Sequence, residues 1–219
     1  MGIGRFAIVT FWTASIAASA PEGDLRITVR VYDYAGLPAG TLAKAGLEAR
    51  KIFAKSGIET EWVECPLERG VEERYPACRK PISPADVSIR IMPHSTEGYP
   101  VPPWAFGFAL SSGDGRPATH AYIFNRRVEE VLREAKCARF QLLGFAMAHE
   151  VGHLLLGPAA HASRGIMRSR WLKEELRQVE SGALIFTSEQ AVRLRASIRA
   201  RLRDAAYSTA TGSTLLPVP

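Results

Sequence analysis

This chain of 219 residues lacks several features that define large classes of proteins. No run reaches the roughly 18 apolar residues that a membrane-spanning helix needs, so we expect no stable membrane span. The three cysteines include no C-x-x-C pair, which argues against a metal site built from cysteine. The arginine-rich segment 193–203 has no interleaved aromatic residues and matches no nucleic-acid-binding motif, so we expect no nucleic-acid partner. With 47% hydrophobic and 23% charged residues, the composition is that of a globular protein.

The first 20 residues have the three parts of a secretory signal peptide. Arg5 supplies the positive charge, an apolar stretch follows, and Ala18-Ser19-Ala20 is a small-x-small cleavage site. Pro21 is unfavourable directly after a cut, so cleavage one to three residues earlier and an uncleaved N-terminal anchor are alternatives, as is a buried first strand or helix. We expect a secreted or periplasmic protein in which residues 21–219 form a single domain, and we expect that domain to be a monomer.

The cysteines are informative in an oxidising compartment. Cys65 and Cys78 bracket a charged, loop-like stretch, and a disulfide between them would stabilise the fold by roughly 3 kcal/mol for a loop of this size. Cys137 is left over and is expected to be a buried free thiol.

Hydrophobic periodicity divides the chain into a β-rich first half and a helical second half. Alternation predicts strands at 25–36, 58–65, 86–93, 105–110 and 119–125. Helical spacing predicts helices at 41–57, 127–137, 140–157, 171–180 and after Thr187, where Thr187 and Gln190 form a capping-box pattern. The opening strand–helix–strand favours a parallel strand pair. We therefore predict one α+β domain with an α/β-like N-terminal half.

The predicted helix at 140–157 carries polar residues where an apolar helix would not tolerate them. From Phe140 to Leu156 the only polar side chains are Gln141, His149, Glu150 and His153. A helix that is apolar nearly all round is buried, and a buried carboxylate without a partner is costly. His149 and His153 lie one turn apart on one face, so both imidazoles can bind one ion, with Glu150 beside them. This is an H-E-x-x-H arrangement, and zinc suits it.

A third ligand is expected beyond the end of this helix. Gly157 and Pro158 end the helix, because glycine can take a left-handed conformation and proline cannot continue. His161 follows this turn, and Met167 lies six residues further on. Three of the five histidines thus fall within 13 residues.

This pattern resembles the metzincin zinc proteases, whose signature is H-E-x-x-H-x-x-G-x-x-H followed by a Met-turn. The resemblance implies that His149, His153 and His161 bind zinc, that Glu150 is the general base and that Met167 is the Met-turn residue. It also implies a twisted mixed β-sheet with backing helices, a buried active-site helix and C-terminal helices. His161 falls eight residues after His153, where the signature has six, so two extra residues must be accommodated.

Two alternatives remain open at this stage. In a gluzincin arrangement, Glu174 or Glu175 would replace His161 as the third ligand. A non-catalytic secreted binding domain could instead keep zinc for stability. The favoured prediction is a secreted zinc metalloendopeptidase that hydrolyses protein or peptide substrates, with Zn²⁺ as its cofactor.

Overall fold

The architecture is that of a computed structural model, which describes residues 25–68, 72–95, 101–110 and 117–210. The signal peptide expected at residues 1–20 lies outside these described residues. Within the described ranges, no helix combines the length and the apolar character needed to cross a membrane.

One five-stranded mixed sheet forms the centre of the fold. The strands are β1 (Arg26–Asp33), β2 (Glu59–Cys65), β3 (Val87–Met92), β4 (Gly107–Ala109) and β5 (His120–Phe124). Their order across the sheet is β2-β1-β3-β5-β4. All neighbouring pairs are parallel except β4, which runs antiparallel to β5 at the edge. The mixed α+β architecture and the parallel pairing of the first two strands are confirmed.

In the described part of the chain, six helices accompany this sheet. They are α1 (Thr41–Ala54), α2 (Pro76–Arg79), α3 (Asn125–Leu132), α4 (Arg139–Leu156), α5 (Lys173–Ser181) and α6 (Ser188–Ala210). Helix α1 packs against β2, and α4 packs against β3, β4 and β5. Helices α1, α3, α5 and α6 all contact α4, so α4 is enclosed by protein on nearly every side.

The core forms because alternate strand residues point to the same face of the sheet. On the central strand β3, for example, Val87, Ile89 and Ile91 are fully buried. Helix α1 meets α4 at very short range, since a Cβ atom added to Gly144 would lie only 2.5 Å from the backbone oxygen of Ala45. Glycine at this position allows the two helices to approach closely.

The stretch between the first two cysteines is more ordered than the loop expected from the sequence. It holds a 3₁₀ turn at Glu72–Arg74 and the short helix α2, which begins at Pro76. Cys65, at the end of β2, is disulfide-bonded to Cys78 in α2. Cys137 is free, but it is only half-buried, because it lies in the exposed connection between α3 and α4.

The arginines of α6 bind carbonyl groups at the ends of other helices. Arg193 donates to the Leu156 oxygen at the end of α4, at 3.2 Å, and Arg195 donates to the Ser56 oxygen just beyond α1, at 2.8 Å. Arg201 is buried and donates to the Leu154 oxygen in the last turn of α4. Several of the basic residues of this helix therefore have structural partners.

Candidate metal centre

The central residues of the site lie in the most buried helix of the fold. All fourteen residues of α4 from Leu142 to Leu155 are buried. His149, Glu150 and His153 are only 8%, 3% and 9% exposed. A sheet on one side and helices on the others explain why this segment is apolar all round.

The chain turns sharply after α4 and returns to the same place. Gly157 has a φ of +95°, a conformation that favours glycine, and its N–H donates to the His153 oxygen at 2.9 Å. A turn at Pro158 and Ala159 follows, and Ala160 is buried against the core. This longer turn accommodates the two additional residues, and His161 comes back to the imidazoles of α4.

Three imidazole nitrogens converge as a result. The Nε2 atom of His153 lies 3.1 Å from Nε2 of His149 and 3.1 Å from Nε2 of His161. Possible ligand atoms of the three residues all lie within 4.8 Å of one another. Nitrogens bound tetrahedrally to zinc at about 2.0–2.1 Å are separated by about 3.3 Å, which is close to the observed spacing.

The hydrogen bonds of His149 and His153 leave the converging Nε2 atoms of these two residues as acceptors. Nδ1 of His149 donates to the Ile166 oxygen at 2.6 Å, and Nδ1 of His153 faces the Gly157 oxygen at 3.4 Å. A carbonyl only accepts, so the proton is on Nδ1 and the lone pair is on Nε2. Lone pairs at this spacing repel one another unless a cation lies between them. The donor set therefore fits a zinc ion.

Burial keeps these histidines neutral. It lowers the pKa of His149 to about 3, with a smaller contribution from His153, and it lowers the pKa of His153 to about 4. Neutral imidazole is the form that binds metal, so no proton has to be removed from either ring at neutral pH.

The carboxyl group of Glu150 lines the same cleft as the three histidines. Its Oε2 atom is buried and has no hydrogen-bond partner in the described part of the chain. Burial raises the pKa of Glu150 to about 8, because an ionised carboxylate is poorly solvated there. A neighbouring cation would compensate that cost, which is a second indication that the site suits a metal ion.

Met167 lies directly beneath the histidine helix. It is fully buried, and a Cβ atom added to Gly152 would lie 2.6 Å from its sulfur. The Met167 oxygen accepts from the Ala162 N–H at 2.9 Å, and Arg168 N–H donates to the Gly165 oxygen at 3.1 Å, which closes a tight turn. The glycine inside the H-E-x-x-H segment is thus needed for this contact.

Neither alternative glutamate reaches the histidines. Glu175 accepts from Arg168 at 2.8 Å through Oε1 and from the Leu172 N–H at 2.8 Å through Oε2. Glu174 is exposed and pairs with Arg177 and Gln178 on the surface of α5. Among the described residues, the group that could hold a metal is His149, His153 and His161.

A cleft of about 380 Å³ opens above these side chains. Its walls include the segment that contains the edge strand β4 and a second segment that contributes Arg168, Ser169 and Trp171. Trp104 and Trp171 both line it. The Phe106 and Trp171 rings, 5.0 Å apart between centroids, join the two walls.

Sequence reasoning did not identify Ile166 or Arg168 as parts of the site. The Ile166 oxygen also accepts from Nε1 of Trp171, at 3.2 Å, so it orients two rings of the cleft. A backbone carbonyl leaves no signal in a sequence. Arg168 is one of several arginines beside the Met-turn, and only its place in the fold distinguishes it.

No known protein-family model matches the chain, and no curated protein matches its sequence. Among solved structures, the fold is similar to the crystal structure of an archaemetzincin from Methanopyrus kandleri, with a TM-score of 0.49 and 13% sequence identity. The similarity covers 83% of this chain and 99% of that one. At this distance it does not define what the chain does.

Proposed function

We propose that this chain is a secreted zinc metallopeptidase that hydrolyses peptide bonds. One observation carries the proposal: three imidazoles that line a cleft converge, with Nε2 of His153 lying 3.1 Å from Nε2 of both His149 and His161, beside the Oε2 atom of Glu150, which has no hydrogen-bond partner in the described part of the chain. A purely structural zinc site is usually closed by four protein ligands. In this chain only three ligands converge, within the described residues, and the fourth position would face the cleft.

His149, His153 and His161 would hold the zinc ion. When bound, zinc lowers the pKa of a water molecule and polarises the carbonyl of a substrate. Glu150 accepts the proton of the attacking water and passes it to the leaving nitrogen. With no cation nearby, burial raises the pKa of Glu150 to about 8. A nearby cation favours the ionised form of the carboxyl, which is the form that acts as a base.

The substrate is proposed to bind as an extended strand. Among the described residues, strand β4 pairs only with β5 and is the edge of the sheet, and residues 105–109 line the cleft. An extended peptide can add to such an edge by backbone hydrogen bonds. The disulfide between Cys65 and Cys78 supports an oxidising compartment, as expected for a secreted or periplasmic monomer.

The test measures zinc content and the hydrolysis of casein and of a peptide library. We expect stoichiometric zinc in the wild type and in Glu150→Ala, and at least 100-fold lower activity in that variant. Glu174→Ala, a change of a surface glutamate, serves as the control and is expected to keep full activity. Full activity in Glu150→Ala would show that the assigned role of Glu150 is wrong. Stoichiometric zinc without turnover of any substrate would instead identify a metal-stabilised binding domain.

A further inference from the structure

The cleft has an asymmetric charge. Arg168 is the one arginine or lysine among the described residues that line this cleft. Apart from Glu150, those lining residues include no carboxylate. Most of the other lining residues are apolar or aromatic, and the ion-pair partner of Arg168, Glu175, is not among the residues that line the cleft.

An ion pair with Glu175 holds Arg168 in place. Its Nη1 atom donates to Oε1 of Glu175 at 2.8 Å, and Glu175 is only 4% exposed. The second oxygen of Glu175 is used by the Leu172 N–H at the start of α5, which fixes the carboxylate. The guanidinium has five N–H donors, so several remain for a group in the cleft. Because its position is already fixed, little conformational entropy is lost when it binds a ligand.

A second guanidinium, that of Arg170, contacts a residue that lines the same cleft. Arg170 lies over the ring of Trp104, 5.4 Å from its centroid, and Trp104 lines the cleft. Arg170 has no ion pair with any residue that the structure describes. The segment after Met167 therefore has two arginines, of which Arg168 is paired with Glu175.

We propose that Arg168, supported by Arg170, makes the cleft selective for peptides that carry a carboxylate close to the scissile bond. This inference rests on the proposed peptidase function and adds the class of substrate. Arginine suits the role because its planar fork matches the two oxygens of a carboxylate. The carboxylate is an Asp or Glu side chain or the C-terminal end of a short peptide, and the two sources are separated by the experiment.

The experiment uses quenched fluorescent peptides in matched pairs. Glu replaces Gln at one position at a time on both sides of the cleaved bond, and a second set compares a free C-terminus with a C-terminal amide. The wild type is expected to cleave the carboxylate member of at least one pair about tenfold faster, measured as kcat/KM, at low ionic strength. The ratio should fall as salt is added, because partly exposed charges are screened.

Arg168→Gln is expected to bring this ratio close to one, and Arg126→Gln, a change of an exposed arginine on α3, should leave the ratio as it is in the wild type. Because Arg168→Gln leaves the buried Glu175 without its partner, the double variant Arg168→Gln/Glu175→Gln is measured alongside it. Zinc content and thermal unfolding show whether each variant is folded. A preference that survives in a folded variant lacking Arg168 would overturn the assignment, as would equal rates for every pair in the wild type.

Binding of the same peptides to zinc-loaded Glu150→Ala protein, followed by fluorescence anisotropy, separates this inference from the proposed function. Preferential binding without turnover by the wild type refutes the peptidase and leaves the carboxylate selectivity standing. Turnover of the peptides without any preference for the carboxylate member refutes the carboxylate selectivity and leaves the peptidase function standing. If the protein shows no preferential binding and no turnover, both the peptidase function and the carboxylate selectivity are refuted.

Discussion

The buried carboxyl of Glu150 should make the metal-free protein lose stability as the pH rises. In the folded chain its pKa is about 8, whereas its ordinary value is 4.5. Between these values the unfolded chain has released its proton and the folded chain has not, so folding becomes less favourable with increasing pH. Replacing Glu150 with glutamine removes this titration and keeps the size of the side chain.

The expected size of the effect follows from that shift. At pH 5 the unfolded carboxyl is only partly ionised, and the folded state of the wild type is penalised by about 1 kcal/mol. At pH 7 the penalty reaches about 3 kcal/mol. From pH 5 to pH 7, the difference in unfolding free energy between Glu150→Gln and the wild type should therefore grow by about 2 kcal/mol in favour of the variant. The lowered pKa values of His149 and His153 act on both proteins and cancel in this difference.

The measurement is urea unfolding in the presence of a chelator, at pH 5, 6 and 7, for both proteins. Glu174→Gln is the surface control. Gln178 and Arg177 lower the pKa of Glu174, so its carboxyl is ionised in the folded chain from pH 5 to pH 7. We therefore expect the difference in unfolding free energy between this variant and the wild type to stay nearly constant over this range. With zinc bound, the difference between Glu150→Gln and the wild type should grow less with pH, since a neighbouring cation favours the ionised carboxylate. A difference that does not change with pH, or that falls, would refute the view that Glu150 is buried without compensation.

Two further predictions concern the ligands and the helix that carries them. His161→Ala should weaken zinc binding at least 100-fold, whereas Glu174→Ala should leave it unchanged, as measured by competition with a chelator; unchanged affinity in His161→Ala would exclude it as a ligand. Gly144→Ala should destabilise the fold by about 1–3 kcal/mol in urea, because its Cβ atom would collide with the backbone of α1 at Ala45. Wild-type stability in that variant would mean that α1 and α4 can separate at no cost.

Local patterns were sufficient to predict much of the fold. Thr187 and Gln190 form the reciprocal capping bonds that their spacing indicated, at 2.9 and 3.2 Å. The helix predicted at 41–57 from helical spacing is present as α1, and its apolar residues Ala45, Ala49 and Phe53 are buried. The apolar run before His149 correctly indicated a buried helix. These features depend on periodicity and on neighbours within one or two turns, which a single sequence contains.

Features that depend on distant residues could not be predicted in the same way. The spacing of His161 differs from the metzincin signature, and only the path of the turn after Gly157 shows that its imidazole comes back to the site. The contact between Arg168 and Glu175 joins a turn to the first residues of a helix. Its sequence pattern, one arginine and one glutamate seven residues apart, is too common to indicate a contact.

Pro158 has a consequence for the order in which this molecule can assemble. The carbonyl of Leu154 would normally bond to the N–H four residues later, but a proline has none. Arg201 donates to that carbonyl from a helix near the C-terminus, and it also binds the oxygens of Pro84 and Ala118. These contacts span up to 117 residues, and contacts of such long range form slowly. During synthesis, the Leu154 carbonyl therefore lacks this partner until residue 201 has been made.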